Sequence, residues 1–353
     1  MAYEIKKFSH PCTIDAEGHI LEPPDLWENY LEQKYQHRAL RIGVDDAGYE
    51  YLEIDQVPSK RSRKGSLGLL GAMGEEDMRP SPERRYSDNI PFGAGDPSER
   101  LQLMAQENLE CTLLYPTLGL LWEVELTDPE LSLAYCRAYN RWIADFCRAS
   151  AGKLVPIAHL TLLDVEGSVI ELERAVKDGC KGAWVNPFNH NKIIHGDPRH
   201  DLLYQKCMEL DVPFALHPTF TPHGAAEGIF DWPREGRAWA EAIWLRSIVQ
   251  QALISYFSLG TLERFPQLKL GVLEAGQPAK RAVTLPDHAG CRALIGREHF
   301  VGPGPVEVGR HRAPGRLRVA DRPMKPHGQV ERVEDLGLGA EVGGAGQVGG
   351  AFV

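Results

Sequence analysis

Apolar and polar positions fall into short blocks over the first 276 residues, and the period of the pattern changes from block to block. Leu154–His159, Gly182–Asn186, Val212–His217 and Leu268–Leu273 are short and almost continuously apolar, as strands buried on both faces are. Segments of helical period lie between or before them, at Pro129–Arg148, Val165–Lys177, Asp201–Leu210 and Ala238–Arg264. In the last, Leu245, Ile248, Val249, Ala252, Leu253, Tyr256 and Phe257 recur at helical spacing and define one apolar face of a single long helix. Cys12–Ala16, ending at Glu17-Gly18-His19, and Glu110–Tyr115 bring the core strands to six. Arg38–Val44 and Tyr49–Ile54 flank the turn residues Asp45-Asp46-Ala47-Gly48 and predict a hairpin. Polar, Gly-, Pro- and Arg-rich residues 59–98 read as a loop insertion, and Lys60–Lys64 within it as a solvated basic run.

Strands separated by helices indicate a parallel sheet, either doubly wound or closed into a (β/α)8 barrel. No Gly-rich phosphate loop follows the first strand, which argues against a nucleotide-binding sheet. Polar residues collect where strands end: Glu17 and His19, His159, Asn186, His217 and Glu274. A barrel keeps its chemistry at that end. The expected fold is α/β, TIM-barrel-like.

Composition supports one sizeable core, since 43% of the 353 residues are hydrophobic and 25% charged. The net charge of −10 argues against a broad grip on nucleic acid or anionic lipid. No apolar run approaches the roughly 18 residues of a membrane span, and the N-terminus has no apolar leader core, so a cytoplasmic protein is expected. Seven scattered cysteines without a C-x-x-C pair suit buried thiols in a reducing compartment better than disulfides. The composition then breaks. Residues 277–353 hold 14 Gly and 7 Pro but no Ser, Asn, Tyr or Trp, with 11 basic against 8 acidic residues. The expected organisation is therefore a barrel domain over 1–276, carrying its insertion at about 37–98, and a tail over 277–353 that is disordered or out of frame. Without that tail the barrel is incomplete at its C-terminal end.

Glu17 and His19, two apart at a strand end, point to the same side, and a carboxylate with an imidazole is half of a divalent-metal site. His217 closes the fifth strand and in a barrel opens into the same bowl, although a lone strand-end histidine is commonly a hydrogen-bonded structural residue. His190, His195 and His200 follow the fourth strand without a carboxylate at ligand spacing and read as loop histidines. His159 could face a substrate and His223 could approach from the rim, and neither is assigned.

The run Asp15-Ala16-Glu17-Gly18-His19-Ile20-Leu21-Glu22-Pro23-Pro24-Asp25-Leu26-Trp27 resembles the opening motif of the amidohydrolase superfamily. It is most similar to the amidohydrolase-related (amidohydrolase 2) branch grouped with amino-carboxymuconate-semialdehyde decarboxylase. Leu113–Pro116, Asn140-Arg141-Trp142, Gly182–Pro187, Leu216-His217-Pro218 and Phe265–Gly271 match in the same order, so the resemblance covers about residues 10–276. It implies a metal-dependent (β/α)8 barrel in which Glu17, His19 and His217 bind one divalent cation, Zn²⁺ or Mn²⁺. It further implies loss of CO₂ from a small hydroxylated aromatic or unsaturated carboxylic acid, and a homodimer. Two positions depart from the decarboxylase pattern. Val272 stands where those enzymes carry a sixth-strand histidine, with Glu274 nearby as a candidate for substrate positioning or a structural ion pair. The expected eighth-strand Asp, ligand and proton carrier, has no clear counterpart, Asp321 being the nearest in position.

Three functions follow. The first is a metal-dependent carboxy-lyase. The second is a hydrolase of an ester, lactone or amide, using metal-activated water at the same ligands. The third is a catalytically impaired barrel that lacks the eighth-strand Asp.

Overall fold

The computed structural model describes residues 5, 7–10, 12–72, 75, 77–219, 237–274 and 292–294. The chain divides into one unit of Met1–Glu298 with Gly350–Val353 and a second of His299–Gly349, the latter wholly outside the described residues. The atypical tail thus lies outside them too, apart from one short strand.

Strand β1 (Thr13–His19) leads through helix α1 (Leu26–Tyr30) into a small antiparallel sheet of β2 (Arg41–Val44), β3 (Glu50–Ile54) and β4 (Val57–Pro58). The expected hairpin is therefore present and gains a third strand. After α2 (Pro97–Glu107) strands and helices alternate through β5 (Leu109–Tyr115), α3 (Pro129–Cys147), β6 (Leu154–His159), α4 (Val165–Asp178) and β7 (Gly182–Val185). They continue through α5 (Asp201–Glu209), β8 (Phe214–Leu216), α6 (Arg237–Ser258), α7 (Thr261–Arg264), β9 (Leu270–Val272) and β10 (Arg292–Leu294). The main sheet runs β10-β1-β5-β6-β7-β8-β9, and every neighbouring pair is parallel. It is the curved parallel sheet of an α/β barrel, seen as an open arc among the described residues.

Parallel register decides which side chains share a face. Ile157 pairs with Gly182, His159 with Trp184, Trp184 with Ala215 and Ala215 with Gly271. Because side chains alternate along a strand, Tyr115, Ile157, Trp184, Ala215 and Leu273 gather into one inner cluster. The intervening Ala158, Ala183, Val185, Phe214 and Leu216 join the outer core with the helices. The ladder runs on past Leu216, since His217 N–H donates to Val185 O at 3.1 Å.

Three sequence expectations change. Helix α2 was not foreseen. Its start is nonetheless written locally, as Asp96 accepts from the N–H groups of Ser98 and Glu99 while Pro97 occupies the first turn. The single long helix is two, because Gly260 takes φ +64°, which a left-handed turn requires, and breaks the run between Ser258 and Thr261. Its apolar face is also narrower than expected: Val249, Ala252 and Tyr256 are buried while Phe257 is 61% exposed. Five cysteines are buried free thiols, as expected, but Cys12 is in a disulfide, against expectation.

Candidate metal centre

The strand carrying Glu17 and His19 lies unusually close to its neighbour. A Cβ on Gly18 would fall 2.2 Å from Thr112 Oγ1 and 3.2 Å from the Leu113 carbonyl, so only glycine admits this approach. The register between β1 and β5 shifts between Asp15 and Gly18, a bulge that re-aims the end of β1. Glu22, fully buried just beyond, accepts the N–H groups of Thr117, Leu118 and Gly119 and ties this strand end to the turn after β5. That turn supplies the Pro116 carbonyl to His19.

Burial pushes the Glu22 carboxyl up from 4.5 to about 7, while those same N–H groups pull it down. A carboxyl raised in the folded state contributes stability that is fully present below its unfolded value and lost as pH rises through the folded one. Between pH 5 and 8 the protein is expected to lose about 2–3 kcal/mol relative to a Glu22→Gln variant. Denaturant midpoints that run parallel across that range would contradict this.

His19 and His217, from opposite parts of the chain, meet with their Nε2 atoms 3.3 Å apart. His19 Nδ1 lies 2.8 Å from Pro116 O, and His217 Nδ1 lies 2.7 Å from Pro218 O. A carbonyl only accepts, so each Nδ1 carries the proton and each Nε2 presents a lone pair in the neutral ring. Both rings are held neutral at pH 7. Burial lowers each pKa to about 4, reinforced at His19 by His217 and at His217 by His159. Glu17 Oε1 stands 3.7 Å from His217 Nε2. One ligand atom each of His19, His217 and Glu274 lie within 4.8 Å of one another. Glu274 reaches this position with φ +49°, a conformation costly for a residue with a side chain and typical of functional sites.

The donor set fits a divalent cation. Two lone pairs facing each other at 3.3 Å repel unless a positive charge lies between them. With metal–nitrogen bonds of 2.0–2.1 Å, a tetrahedral ion would hold its nitrogens ~3.3 Å apart. Two carboxylates complete the charge balance. His19 and His217 thus meet, with Glu17 beside His217 and Glu274 within ligand range of both imidazoles. Asp321 and His223 lie outside the described residues.

A family model described as amidohydrolase matches residues 14–302. The chain belongs to the amidohydrolase family. Decarboxylase orsB of Emericella nidulans is 32% identical over 160 residues, covering 40% of this amidohydrolase and 44% of that protein. Gamma-resorcylate decarboxylase of Rhodococcus jostii is 30% identical over 128 residues, covering 34% and 38%. The chain matches less than half the length of either relative. An amidohydrolase from Mycobacterium avium subsp. paratuberculosis shares the fold at a TM-score of 0.59 and 21% identity, over 75% of this chain and 73% of that one.

The remaining histidines of this amidohydrolase are placed by hydrogen bonds. His195 Nε2 lies 2.6 Å from Asn186 O, His190 Nε2 lies 3.0 Å from Glu123 O, and His200 Nδ1 lies 3.0 Å from His195 O. They brace the loop after β7. His159, left unassigned from sequence, faces the inner side beside Trp184 and lies 2.9 Å from Glu123 Oε2. Glu123 escaped the sequence reading because a single acid in a loop carries no periodic or spacing signal. Tyr115 and Trp184 sat inside the matched motifs, but only the fold shows them flanking His217, with ring centroids 5.4 and 5.6 Å away.

Proposed function

We propose that this amidohydrolase is a metal-dependent decarboxylase of a small hydroxylated aromatic or unsaturated carboxylic acid, soluble in the cytoplasm and working as a homodimer. The observation that carries the reading is the pair of neutral imidazoles whose Nε2 lone pairs converge at 3.3 Å, next to Glu17 and Glu274. The decarboxylase names of the relatives support the reaction class. Glu17, His19, His217 and Glu274 would hold one Zn²⁺ or Mn²⁺. When bound, that ion supplies a positive charge to which a substrate carboxylate and neighbouring hydroxyl oxygen are drawn and against which developing negative charge is stabilised.

The chain's own residues do the rest. Backbone carbonyls of Pro116 and Pro218 keep each imidazole in the tautomer whose Nε2 points inward. Tyr115 and Trp184 give the site an aromatic floor that suits a planar substrate and keeps water out. Burial, with the charges of Glu17 and Asp15, raises the Tyr115 hydroxyl well above its ordinary pKa, so it stays a hydrogen-bond donor. In the reaction the carbon that carries the carboxylate gains a proton drawn ultimately from solvent, the carbon–carboxylate bond then breaks with its electron pair staying on that carbon, and CO₂ departs.

A panel of hydroxybenzoates tests this with metal-loaded protein. CO₂ release matched one-to-one by the decarboxylated phenol is the expected result. Acid release from esters, lactones or amides without CO₂ would replace the reading with hydrolysis. Absence of turnover on both panels from a chain that retains its ion would favour the impaired barrel.

A further inference from the structure

A second polar cluster sits on the same inner face, separated from His217 by one ring. Glu123 Oε2 accepts from His159 Nε2 at 2.9 Å and also from the Asn186 amide. His159 lies flat on Trp184, with centroids 3.8 Å apart and 16° between the planes, and Trp184 in turn borders His217. The cluster is deeply buried, with Glu123 the most exposed of the four at 5%. Backbone bonds hold it in place: Asn140 grips both N–H and carbonyl of His159, and His195 grips the carbonyl of Asn186.

Three buried side-chain atoms here, His159 Nδ1, Asn186 Oδ1 and Trp184 Nε1, have no hydrogen-bond partner among the described residues. Buried polar atoms are nearly always paired, so three beside one ligand centre call for a group to pair them. The chemistry of that group follows from their roles. The indole N–H can only donate. The Asn186 oxygen, with its amide nitrogen committed to Glu123, can only accept. A hydroxyl both donates and accepts, so one such group pairs the indole N–H and, with its single hydrogen, the Asn186 oxygen. A second carboxylate cannot donate, and it would lie beside the Glu123 carboxylate in a site that excludes water.

We propose that Trp184 and Asn186 bind a neutral hydroxyl of the substrate remote from the carboxylate, and that Glu123 selects against diacids. The inference rests on the decarboxylase reading for the assignment of the carboxylate to the metal centre.

Isothermal titration of the Mn²⁺-loaded protein tests it, using 2-hydroxybenzoate, its ring-hydroxylated derivatives and the matching ring-carboxylated ones. One hydroxylated isomer is expected to bind at least about tenfold tighter than 2-hydroxybenzoate, and its carboxylated counterpart more weakly than the parent. Trp184→Phe, which keeps the ring but deletes its N–H, and Asn186→Leu should each cut that advantage to less than about twofold. Should Asn186→Leu not fold, Trp184→Phe alone decides. Binding of the parent with every hydroxylated isomer within about twofold of it would overturn this subsite while leaving the decarboxylase reading in place. Failure of every acid to bind would overturn both. Retention of the full advantage in Trp184→Phe would overturn the subsite.

Discussion

His19→Ala and His217→Ala are each expected to leave the protein folded and strip it of its cation, from about one equivalent per chain to under about 0.1, with activity falling on the order of 10³-fold or more. The size of the effect comes from the geometry. Each substitution removes one of two lone pairs that converge at 3.3 Å, and what remains is a single imidazole with carboxylates. Glu17→Gln combined with His19→Ala should abolish binding as completely, because a charge and a nitrogen go together. Elemental analysis of protein purified without added metal, with far-UV circular dichroism as the control for folding, reads the result. Unchanged metal content in either single variant would remove the basis of the proposed function. Treating wild type with a chelator and restoring Zn²⁺ or Mn²⁺ in separate samples then assigns the ion.

The second large effect lies away from the metal. Asn140, in the middle of α3 and fully buried, accepts from His159 N–H at 2.7 Å and donates to His159 O at 3.0 Å and to Glu171 Oε1 at 2.7 Å. Glu171, itself 2% exposed, is closed by Arg174 at 2.7 Å. Replacing Asn140 with Leu would leave a buried N–H and a buried carbonyl unpaired at the end of β6. That is expected to cost roughly 3–5 kcal/mol, which lowers Tm by ~6–15 °C for a domain of this size. Asn140→Asp should not rescue it, because an acceptor-only carboxylate cannot donate to the His159 carbonyl and faces Glu171. A drop of less than about 2 °C would show that the strand end is held by other bonds. This also accounts for Asn140-Arg141-Trp142 as a structural motif: Asn140 is the peg that fixes the strand carrying His159.

The legibility of the chain divides by the range of the interaction. The short apolar strands, the helices α3, α4 and α5 and the paired strand-end residues were readable because buried strands and amphipathic helices repeat their signal along the sequence. Helix α2 was missed because its face is mostly polar, even though Asp96-Pro97 marks its start. The fusion of α6 and α7 in the sequence reading came from counting apolar residues through Gly260, where backbone conformation outweighs hydrophobic period. Glu123 offered nothing to read at all, since its meaning depends on side chains 36 and 63 residues further along the chain.

Taken alone, the amino-acid order determined a parallel α/β architecture, the family and three of the residues that converge, because these rest on local periodicity and on a motif whose spacing survives in one dimension. The fold alone decided that His19 and His217 face each other as neutral lone-pair donors, that Glu274 lies within ligand range of them, and that His159 stacks on the Trp184 ring beside them. The reason is physical. Tautomer, burial and register are properties of what a side chain touches, and those contacts exist only once strands far apart in sequence lie side by side.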